Sequence, residues 1–192
     1  MAASGRAWFQ RTTKSDARSP AALTWPLAES TRETSGKTMT TGKTNEPVRT
    51  IRFYSHTRGA HRCFSNFYPS PFFARDILWT TVEHFFQAQK FYGHSLYLDI
   101  RDAESPAEAK RLGRMRGMRE DWDAVRDIVM LEGLRRKFQQ CAALRDVLID
   151  TGNAHLIEAA KRDYYWGEGA DGSGRNMLGE LLMRVRGEIN AR

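Results

Sequence analysis

Cysteine is scarce in this 192-residue chain, with only Cys63 and Cys141, far apart. No C-x-x-C pair occurs, and no Cys/His cluster has the spacing of metal ligands. A disulfide framework is therefore excluded, and the simple expectation is a reduced, cytoplasmic protein with two unpaired thiols. None of the histidines (His56, His61, His84, His94, His155) stands in an H-E-x-x-H pattern. No zinc site, and no other metal or cofactor, is expected. Long hydrophobic runs are missing too: no uncharged apolar stretch approaches the roughly 18 residues that a membrane span needs. No G-K-[ST] follows the glycine-rich stretch near the C-terminus, so a Walker phosphate loop is excluded.

What is present is an ordinary core-forming composition with a basic excess. Hydrophobic residues make up 41%, the formal charge is +7 and the pI about 9.7. Such a balance favours phosphates or nucleic acid as partners, or is simply a solvated basic surface. Residues 1–48 are rich in Ser, Thr, Ala, Arg and Lys, with Trp8, Trp25 and Leu27 scattered without period. A disordered tail is expected there. A transit peptide is argued against by Asp16, Glu29 and Glu33, and Met39 offers an alternative start. One domain is expected over residues 49–192.

Within that domain, Val48–Tyr54 is β-prone and predicts a strand. Two more short extended pieces are expected at Phe64–Tyr68 and Phe72–Trp79, broken by Pro69 and Pro71. Thr80-Thr81-Val82-Glu83 reads as a capping box opening a helix that stops at Gly93. Ser105-Pro106-Ala107-Glu108 opens a second. A long buried helix is expected from Asp121 to about Gln140, with short helices at Leu144–Ile149 and His155–Ala160. Leu178, Leu181, Leu182, Val185 and Ile189 predict a final helix. The fold class expected is α+β, helix-dominated, with a small strand region before Thr80.

Three stretches carry candidate chemistry. On a helix turning about 100° per residue, Glu83, Gln87 and Lys90 share an arc of roughly 60°. A carboxylate, an amide and an ammonium then stand in a row about 10 Å long at helical rise, close to the length of a ribose phosphate. Glu83 is equally explained as the third residue of a capping box, and Lys90 as a solvated lysine near a helix end. The second stretch runs from Asp163-Tyr164-Tyr165-Trp166-Gly167 to Gly174-Arg175-Asn176. Its aromatics suit stacking on a heterocycle, and its glycines and the following helix start suit an anion; a surface loop capped by Asn176 fits as well. The third is Arg111, Arg114, Arg116 and Arg119, followed by Trp122: a phosphate-binding cluster with a stacking ring, or a solvated face beside a core tryptophan.

These residues resemble the NADAR family. Phe64-Ser65-Asn66-Phe67 is similar to its F-S-N-F element, and Trp79–Phe91 to its W-P-T-x-E-H-x-x-Q-A-x-K-F signature, with Thr80 where the family has proline. Leu112-Gly113-Arg114 and Trp122 resemble its G-R turn and tryptophan. The stretches Asp163–Gly167 and Gly174–Gly179 resemble its D-x-x-W-G and G-x-N-x-L-G motifs. The resemblance, over about Ile51 to Arg186, implies a YbiA-like N-glycosidase. Its substrate would be a phosphorylated ribosylamine, namely the phosphoribosylamino-pyrimidines of early riboflavin synthesis. Removal of ADP-ribose from guanine bases is the alternative, and a non-catalytic nucleotide- or nucleic-acid-binding module the alternative of another class. Glu83, Lys90 and Asp163 are then the catalytic candidates. Asn66, Gln87, Arg114, Trp122, Trp166, Gly167 and Asn176 are the substrate-binding candidates, with Arg114 and the helix start at Asn176 holding phosphate.

Overall fold

In the computed structural model, residues 48–191 are described. Val48 aside, the stretch expected as a tail lies outside them. Strand β1 (Thr50–Phe53) alternates exposed and buried residues, sending Ile51 and Phe53 into the core. Its partner, β4 (His155–Glu158), lies about a hundred residues on and runs parallel, in a register that sets Phe53 opposite Glu158. The helix expected at His155–Ala160 is therefore a strand. Its four residues pair with a distant segment, and no local pattern reports such a pairing.

A short 3₁₀ turn (Ala60–Phe64) follows β1. It and the turns after it occupy the stretch expected to be extended at Phe64–Tyr68. Buried Lys137 donates to the Ser65 carbonyl at 3.0 Å and holds that turn. Residues Phe72–Trp79 form not one extended piece but a hairpin, β2 (Phe72–Ala74) against β3 (Ile77–Trp79). Its two-residue loop, Arg75-Asp76, has positive φ at both positions (53° and 60°), which no sequence signal such as Asn-Gly announces. Arg75 stabilises the loop by ion-pairing with Glu132 at 2.8 Å and donating to Gln89 at 3.0 Å.

All eight residues of α1 (Val82–Gln89) are buried. The helix lies among α2 (Leu96–Arg101), α3 (Pro106–Leu112) and α4 (Trp122–Gln140). Its N-cap is Thr81, whose hydroxyl accepts the His84 amide at 3.2 Å. The capping box expected from Thr80 is thus shifted by one residue, and Glu83 is not its third member. His84 donates from Nε2 to the Ala103 carbonyl (3.1 Å), leaving Nδ1 to accept from the Thr81 hydroxyl at 2.8 Å. Burial lowers the His84 pKa, in keeping with a neutral ring.

Ser105 caps α3 as expected, accepting the Glu108 amide at 3.1 Å. Helix α4 follows the expected bounds, though Ile128 faces solvent. After α5 (Ala142–Ile149) and β4 comes α6 (Met177–Asn190), which packs on β4 and α4. The described residues are α+β: six α-helices and four strands in two small sheets around one aromatic-rich core. Among them, no helix is long and apolar enough to cross a membrane, and both cysteines are free.

Candidate active site

The inward arc of α1 opens into a cavity of about 360 Å³, within the range of small-molecule sites. Glu83, Gln87 and Lys90 all line it, as the helical spacing requires. Around them stand Asn66 from the turn after the 3₁₀ element, Lys110 and Arg114 from α3 and beyond, Trp122 and Arg126 from α4, Glu158 from the end of β4, and Asp163 and Trp166 from the following loop.

Glu83 is 5% exposed and accepts a hydrogen bond from Gln87 Nε2 at 2.7 Å. Its backbone amide donates to the Asn66 carbonyl at 3.1 Å, coupling the F-S-N-F turn to the start of α1. The other Gln87 amide atom, Oε1, is buried without a partner against Gly113. A side chain at Gly113 would displace the Gln87 carboxamide from its present position. The Asn66 carboxamide oxygen is likewise buried without a partner. Lys90 donates from Nζ to the Gly113 carbonyl at 3.1 Å and lies over the rings of Phe86 (5.8 Å) and Trp122 (5.6 Å). Trp122 and Trp166 both meet Phe86 edge-on, at 4.9 and 5.3 Å between centroids.

Three carboxyl groups and four cationic side chains face one small space, and Glu83, Lys90 and Glu158 are perturbed by it. Burial pushes the Glu83 carboxyl above the usual range, while the Gln87 hydrogen bond and the charges of Lys110 and Lys90 pull it back. Burial lowers the Lys90 ammonium, and Glu83 counters it. Glu158 is pushed up to about 7, first by burial and then by the negative charges of Asp163 and Glu83, with Lys110 opposing. Perturbed groups gathered in one cleft mark a candidate site on physical grounds. Arg126 lies 3.7 Å above the Tyr165 ring, bonds Asp123 at 3.0 Å, and has its buried Nε unpartnered.

Most sequence candidates converge on this cavity: Asn66, Glu83, Gln87, Lys90, Arg114, Trp122, Asp163 and Trp166. Gly167 and Asn176 do not line it. Asn176 instead bridges two backbone groups of β4, donating from Nδ2 to the Leu156 carbonyl (2.8 Å) and accepting the Glu158 amide on Oδ1 (2.9 Å). The amides that begin α6 are already taken, Met177 by the Tyr165 carbonyl (3.0 Å) and Leu178 by that of Trp166 (3.1 Å). A phosphate held at that helix start, as the sequence suggested, would have to displace them. Of the arginine cluster only Arg114 lines the cavity; Arg111 pairs with Glu108 and Arg119 with Asp121. Asp163 accepts the amides of Tyr165 (3.0 Å) and Trp166 (2.7 Å) on one oxygen, shaping the loop as well as facing the cavity. Lys110 and Arg126 had no signal in the sequence beyond the basic excess, and Glu158 had none. Glu158 in particular was hidden by reading its strand as a helix.

A small cavity lined by carboxyls, cations and aromatic rings defines a site for a compact polar ligand with a ring. The NADAR domain matches residues 52–190, and the chain belongs to the NADAR family. It is 43% identical over 141 residues to the N-glycosidase YbiA of Escherichia coli, covering 72% of this chain and 88% of that protein. It is also 43% identical over 145 residues to the N-glycosidase Npun_R5314 of Nostoc punctiforme, covering 73% and 92%. A maize relative, the chloroplastic riboflavin biosynthesis protein PYRR, is 37% identical over 156 residues, 25% of its own length. The NMR structure of E. coli YbiA superimposes with a TM-score of 0.69 at 41% identity, over 74% of this chain and 86% of that one.

Proposed function

We propose that this chain is an N-glycosidase that hydrolyses the ribose–nitrogen bond of phosphoribosylamino-pyrimidines, giving ribose 5-phosphate and an aminopyrimidine. The observation that carries this reading is the arc of Glu83, Gln87 and Lys90 facing the cavity beneath Trp122 and Trp166. The names of the relatives support the reaction class, and the maize name supports the riboflavin precursor.

Breaking the bond builds positive charge on the sugar ring while the nitrogen departs. Glu83 stands beside that ring, and its ionised form stabilises the charge or takes a proton from the attacking water. Gln87 fixes the Glu83 rotamer through its amide. Trp122 or Trp166 stacks on the base. Lys110 and Arg114, both exposed at the mouth, suit the phosphate, and a planar guanidinium matches it with two parallel donors. A general nucleic-acid module is less well supported, because Arg111 and Arg119 are tied to carboxylates rather than free for phosphates.

The test is to incubate the protein separately with the phosphoribosylamino-pyrimidine and with DNA carrying ADP-ribosylated guanine, and to assay the sugar released. Ribose 5-phosphate from the first supports the proposal. ADP-ribose from the second alone moves the substrate to the guanine adduct. Release from neither, with DNA binding that weakens steeply in salt, replaces the enzyme by a binding module.

A further inference from the structure

Glu158 enters the cavity from a direction no local motif announced, and its surroundings differ from those of the other carboxyls. Its main chain is held on both sides. The amide donates to Asn176 Oδ1 at 2.9 Å, and the carbonyl accepts the Glu168 amide at 2.9 Å. Its carboxyl lines the cavity yet makes no hydrogen bond or ion pair among the described residues. Glu83, by contrast, accepts from Gln87, and Asp163 accepts two amides. The hydrogen bond from Gln87 offsets part of the burial of Glu83, whereas nothing donates to Glu158.

We propose that Glu158 is the acid of this site, donating the proton that the departing nitrogen takes up. The assignment rests on the N-glycosidase reading. As the bond between C1′ and nitrogen breaks, its electron pair stays on nitrogen and takes the Glu158 proton. Water oxygen bonds to C1′ and gives a proton to Glu83. The proton returns from Glu83 to Glu158 through solvent, so one water is consumed and nothing is oxidised or reduced. Such a cleavage needs one carboxyl that gives a proton and one that takes it. The charged groups that line the cavity with Glu158 are Glu83 and Lys90 on α1, Lys110 on α3, Arg114 after it, Arg126 on α4 and Asp163 in the loop; of these Asp163, Glu83 and Lys110 act on its charge. Burial first, then Asp163 and Glu83, push the Glu158 pKa up to about 7, with Lys110 opposing. The competent fraction therefore falls as pH rises through that value.

The experiment measures kcat and KM against pH for wild type, Glu158→Gln and Glu83→Gln on the phosphoribosylamino-pyrimidine, with circular-dichroism melts as a folding control. Expected is a kcat about 10²-fold lower in Glu158→Gln, with KM little changed and the alkaline limb of the profile lost. Glu158→Ala should regain part of its kcat on addition of formate, which a merely structural side chain would not show. Wild-type kcat in Glu158→Gln, an alkaline limb that persists there, or no formate rescue overturns the assignment alone. A wild type that releases sugar neither from the pyrimidine nor from ADP-ribosylated guanine overturns the N-glycosidase reading and this assignment with it.

Discussion

Glu83 shows how a single residue's meaning shifts with the register of a helix. From the sequence it fits a capping box equally well as a catalytic carboxylate. The cap is Thr81, one residue later, and the third position after it is His84. The buried carboxyl of Glu83 is thus left with Gln87 and the cavity as its surroundings. Lys90 was legible through the same local periodicity, and its environment sharpens its two possible roles. A partly desolvated ammonium over two rings serves as a phosphate contact; its lowered pKa leaves more free amine to attack a ring-opened aminoriboside. Borohydride added during turnover separates them. A covalent sugar adduct seen by mass spectrometry in wild type and absent in Lys90→Ala makes Lys90 the nucleophile. No adduct in either, with KM raised in Lys90→Ala, makes it a phosphate contact.

At the level of elements, what a helix does locally could be read and what a strand does at a distance could not. The arc on α1, the Ser105 cap and the bounds of α4 follow from spacing within a turn or two. Strand β4 depends on β1, and the G-x-N motif depends on β4, so Asn176 looked like a cap or an anion site. It is a tether instead, satisfying the Leu156 carbonyl and the Glu158 amide where α6 meets the strand. Gly179 allows that approach, since any side chain there would strike the Leu156 carbonyl and the Asn176 carboxamide. Asn176→Ala leaves both backbone groups without partners, and a loss of about 2–5 kcal/mol is expected from two such vacancies. Urea unfolding with an unchanged m-value measures it. A loss below about 0.5 kcal/mol would mean that water or a neighbour replaces the amide without cost.

Across the whole molecule, separate segments each bring one kind of chemistry to the same cavity. The turn after the 3₁₀ element brings an amide, α1 a carboxylate and an ammonium, α3 and α4 cations and a ring, β4 a carboxyl, and the last loop a ring and an aspartate. The order of motifs along the chain pointed to this gathering only through the family resemblance. Spacing on one helix placed Glu83 with Lys90 but had no means of adding Glu158. The central claim is that this gathering hydrolyses an N-ribosyl bond, with Glu83 acting in the chemistry rather than in the fold. Turnover by Glu83→Gln, which keeps the shape and the partner of the side chain, tests it most directly. The account predicts a kcat lower by about 10²-fold or more with the melting temperature unchanged. A wild-type rate in that variant would contradict it.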